Sequence, residues 1–112
     1  MSLPVILQPE AEETICGSAA WWAKHRSSQQ TQQWYDGFLA AIDSLGENAE
    51  QHPVSRENQF FPYEIRDLYF GLGSHPTHRA IFTIQSSAVV VLTTRHLAQR
   101  DIIADDLPSQ PQ

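Results

Sequence analysis

The chain holds one cysteine, Cys16, and one lysine, Lys24, in 112 residues. A lone thiol excludes an internal disulfide and fits a reducing, cytoplasmic setting. No apolar run approaches the ~20 residues that a membrane span needs, so no membrane association is expected. Met1-Ser2-Leu3-Pro4 lacks the basic leader and long apolar stretch of a secretory signal. There is no glycine-rich phosphate loop and no nucleophile elbow. His75 and His78 flank Pro76 in a turn-like stretch without a partner cysteine or acid cluster, so neither a metal nor a cofactor is expected. Cys16, beside the apolar face of an expected helix, reads as a small buried hydrophobe.

What is present suits one folded domain. Hydrophobic residues make up 41% and charged residues 18% of the chain, which excludes disorder for its bulk. The domain is expected over residues 1–104, with 105–112, containing Pro108 and Pro111, as a frayed tail. Net charge is −6 and unevenly spread. Residues 1–55 carry seven carboxylates against Lys24 and Arg26, while residues 56–100 hold Arg56, Arg66, Arg79, Arg95 and Arg100 against Glu57, Glu64 and Asp67. An acidic chain is a poor non-specific nucleic-acid binder. Its middle is nonetheless an island of guanidinium groups, each a planar, permanently charged fork.

The apolar pattern changes period halfway. Pro4 to Leu7 reads as a short edge strand. Pro9 suits a first helical position, with Glu10, Glu12 and Glu13 in the first turn. Ala11, Ile15, Ala19 and Trp22 then share a helical face that ends near Lys24-His25. Ser27 with Gln30 forms a capping-box signature for a second helix, whose stripe is Trp34, Phe38, Ala41, Ile42 and Leu45 and whose stop is Gly46. The short link predicts an antiparallel helical hairpin with Trp22 meeting Trp34. Residues 47–62 are turn-rich and polar. Strands are expected over 63–72, 79–84 and 88–92, with Gln85-Ser86-Ser87 as a hairpin turn and the last strand covered on both faces. A short helix is expected over 98–104. The fold class is α+β: an N-terminal strand, then a helical hairpin packed on an antiparallel sheet, in the order β-α-α-β-β-β with a short C-terminal helix.

Arg66, Arg79 and Arg95 fall on three consecutive expected strands, which run ~4.8 Å apart. Three forks on adjacent strands can converge on one groove and bind phosphate or carboxylate, two oxygens each. The alternative is pairing with Glu64, Asp67 and the acidic helices. His96 follows Arg95, where an imidazole can either carry a proton or cap the sheet by bonding the backbone.

Three segments, Tyr63-Glu64-Ile65-Arg66-Asp67-Leu68, His78-Arg79-Ala80-Ile81-Phe82-Thr83-Ile84 and Val89-Val90-Val91-Leu92-Thr93-Thr94-Arg95-His96, resemble the RelE/ParE superfamily of type II toxin–antitoxin toxins. The preceding hairpin and the following short helix resemble it too, so the resemblance spans about residues 3 to 104. It implies a small toxin that arrests growth, of the kind associated with plasmid stabilisation, neutralised by a cognate antitoxin in a heterotetramer or larger complex. Two activities follow from the resemblance: inhibition of DNA gyrase, as in ParE-like members, or ribosome-dependent cleavage of messenger RNA, as in RelE-like ones. For a nuclease, Arg79 matches the phosphate-binding arginine and His96 is left to move the proton; Arg66, Arg79, Arg95 and Arg100 would form the binding patch. Glu64 stands where RelE-like nucleases are basic, and residues 101–112 contain no Tyr or His. With a net charge of −6, these departures favour the ParE-like expectation, while a non-toxic α+β protein-binding module is a further alternative.

Overall fold

The computed structural model describes residues 2–98. The short helix expected beyond Ala98, the tail and Arg100 lie outside the described residues. Strand β1 (Val5–Leu7) leads into helix α1 (Pro9–His25). Pro9 opens α1, where its missing N–H costs no hydrogen bond, and Glu10 and Glu12 sit in the first turn. Helix α2 (Ser28–Asp43) begins with the expected capping box: Ser27 Oγ accepts from the Gln30 N–H at 3.1 Å, and Gln30 Oε1 accepts from the Ser27 N–H at 3.4 Å. The two helices form the hairpin, with Trp22 and Trp34 stacked at 6.0 Å.

Gly46 does not end α2. The helix closes at Asp43, and the chain continues into a further turn, α3 (Leu45–Asn48), in which Gly46 lies. Its backbone abuts Leu3: the Leu3 N–H donates to the Gly46 carbonyl at 2.8 Å, and a Cβ there would stand 2.5 Å from the Leu3 oxygen. Glycine is present because two backbones touch, not because a helix stops.

Strands β2 (Arg66–Phe70), β3 (His78–Ile84) and β4 (Val89–His96) make an antiparallel meander. β1 adds to its β4 edge in parallel, so the sheet is mixed, in the order β1-β4-β3-β2, rather than antiparallel throughout. A parallel neighbour needs a long connection, and the helical hairpin together with β2 and β3 supplies it between β1 and β4. β4 lies inside the sheet, and Val89 to Leu92 are buried, as their continuous apolar pattern requires; Thr93 and Thr94 are buried beyond it.

Both faces of the sheet are covered. The helices pack on Leu68, Ala80, Phe82, Val89 and Val91 through Ile15, Trp34, Phe38 and Ile42. The other face carries Ile65, Ile81, Val90 and Leu92 beneath Phe61 and Tyr63. A register shift opposite Ile81 and Phe82 makes Leu92 the extra residue of a bulge. The turn-rich stretch before β2 does more than link. Its Ser55 N–H bonds the Ile65 carbonyl at 2.8 Å and its Pro53 carbonyl accepts from the Asp67 N–H at 3.0 Å, so it runs beside β2 and folds over the second face. Cys16 is exposed, which corrects the expectation of burial. It follows the buried Ile15 by one helical step, and that rotation turns it outward. No helix among the described residues is long and apolar enough to cross a membrane.

Candidate functional site

The strand register decides what the arginines can do together. Arg66 lies opposite Phe82, and Arg79 opposite Tyr69 on one side and Arg95 on the other. Side chains alternate across a strand, so Arg79 and Arg95 share the face away from the helices while Arg66 points to the helical face. The expected convergence of Arg66, Arg79 and Arg95 on one groove is therefore corrected.

Arg66 serves as a tie. Its Nη1 donates to the His52 carbonyl at 2.6 Å and the Glu50 carbonyl at 3.3 Å, and its Nε and Nη2 each meet Glu64 at 3.0 Å. It fastens the start of β2 to the turns that follow α3. The positive charge beside it, after the effect of burial, lowers the pKa of His52.

Arg79 is almost sealed, with its side chain 2% exposed. Its Nη2 meets Glu57 Oε1 at 2.8 Å and its Nη1 meets Asp67 Oδ2 at 3.1 Å. The carboxylates are themselves buried, Glu57 completely. Glu57 also accepts from Ser55 Oγ at 3.2 Å and from Arg56 Nε at 2.9 Å, and Asp67 accepts from the Tyr69 hydroxyl at 3.1 Å. Burial raises the Asp67 pKa, against the pull of Arg79. For Arg79, burial acts to lower the pKa, but the bonds to Glu57 and the charge of Asp67 outweigh it and the net shift is upward. Arg79 thus pairs with Asp67, one of the partners the sequence offered, but in the interior. Glu57, its second partner, was not singled out from sequence. A polar Ser-Arg-Glu-Asn run in a turn gives no sign that its glutamate turns inward.

Arg95 lies half-buried beside Arg79 on β4, and His96 is exposed at the end of that strand. His96 projects to the helical face, 5.0 Å between ring centres from His78. Its Nδ1 accepts from the Ala98 N–H at 3.0 Å, which leaves the proton of the neutral ring on Nε2. His78 is buried among Trp34 and Phe38 and bonded to Thr77 Oγ1 at 2.8 Å. Burial, then the charge of His96, pushes its pKa down to about 4. His75 is exposed in the connecting loop. No group of three or more His, Cys, Asp or Glu among the described residues is placed to hold a metal ion.

Between α1 and the ends of β3 and β4 lies a groove of about 650 Å³. Trp21, Trp22 and Arg26 form one wall, and Thr94, Arg95 and His96 are on the other. Its floor is pinned by a bond of 2.8 Å between Thr14 Oγ1 and Thr94 Oγ1. The sequence offered Trp22 only as a core residue and gave Trp21 no role. Neither a protein-family model nor a curated protein matches the chain.

Proposed function

We propose that this chain is the toxin of a type II toxin–antitoxin module of RelE/ParE type, neutralised by a cognate antitoxin, and that it arrests growth by binding DNA gyrase rather than by cutting RNA. The family half of the reading is supported by the order of elements, a helical hairpin laid over one face of three consecutive strands, together with the motifs those strands carry.

The observation that carries the choice of activity is the state of Arg79. An RNA-cleaving toxin needs cations preorganised around the scissile phosphate, where charge develops in the transition state. Arg79 instead holds two buried carboxylates and is 2% exposed. Freeing it for a phosphate would strand both carboxylates in the interior, at a cost of about 3–5 kcal/mol. Arg79 and His96 lie on opposite faces of the sheet, so the two cannot act together on one phosphate. A toxin that works by binding a protein needs none of this chemistry and tolerates a net charge of −6.

Induced expression in bacteria, with replication, translation and RNA integrity followed together, tests the reading. DNA synthesis should stop first while messages stay intact. Prompt cleavage of translated messages supports the RelE-like alternative, and normal growth at full expression supports the non-toxic binding module.

A further inference from the structure

We draw no further inference here: the strongest candidate, the groove between α1 and the ends of β3 and β4 with the exposed Trp21 on its wall, selects no occupant by charge, since Arg26 and Glu10 offset each other, and nothing in the structure shows what covers it.

Discussion

Replacing Arg79 with methionine should be among the most damaging single changes this protein can suffer. Methionine keeps much of the arginine stem's volume, so little packing is lost and the main effect is electrostatic. Glu57 is fully buried and Asp67 nearly so, and both would remain in the interior without their shared cation. Removing one partner of a buried ion pair costs about 3–5 kcal/mol. The lower part of that range applies, because Arg56 still reaches Glu57 from a side chain 53% exposed and Tyr69 still donates to Asp67. For a domain of this size, that corresponds to a drop in Tm of roughly 12–20 °C at neutral pH. The sign of the pH dependence discriminates further. Protonating the stranded carboxylates removes their desolvation penalty, so the gap between variant and parent should shrink as pH falls from 7 toward 4. Neutralising them by mutation in Arg79→Met/Glu57→Gln/Asp67→Asn should recover at least half of the loss. Urea unfolding followed by circular dichroism measures all of this. A single variant within about 1 kcal/mol of the parent, or a deficit equal at both pH values, would refute the sealed-network account.

Other consequences follow from the same geometry. His78, whose pKa falls from 6.5 in the unfolded chain to about 4 when folded, contributes stability fully present above pH 6.5 and lost as pH falls toward 4, on the order of 3 kcal/mol; His78→Leu should show less acid loss than the parent in paired unfolding curves. Ser27→Ala removes the acceptor of the capping box and should cost about 1 kcal/mol by urea denaturation. Gly46→Ala drives a methyl against the Leu3 carbonyl, and should speed amide exchange of β1 more than that of β2 or β3.

The helical half of the fold was legible because its signals are local. Pro9, the Ser27–Gln30 box and the Trp34–Phe38–Ile42–Leu45 stripe each act within a few residues of themselves. The three-strand meander was legible for the same reason. The parallel pairing of β1 with β4 was not, since it joins residues some eighty positions apart and leaves no mark in a three-residue strand. Nor was the fate of the arginines. Every residue of β3 from His78 to Thr83 is buried, so its sequence shows no alternation from which to read a face. Only the register with β2 separates Arg66 from Arg79. The inward turn of Glu57 depends on where the preceding loop folds, and the groove depends on two elements that meet only in the folded chain. Chemistry carried by single positions was visible; chemistry made by juxtaposition was not.

The supercoiling of relaxed plasmid by purified DNA gyrase, with and without this protein, probes the proposed activity most directly. The account predicts loss of supercoiling as protein is added, with activity returning when the neutralising partner is included. Undiminished supercoiling at saturating protein, alongside cleavage of messenger RNA on translating ribosomes, would contradict it.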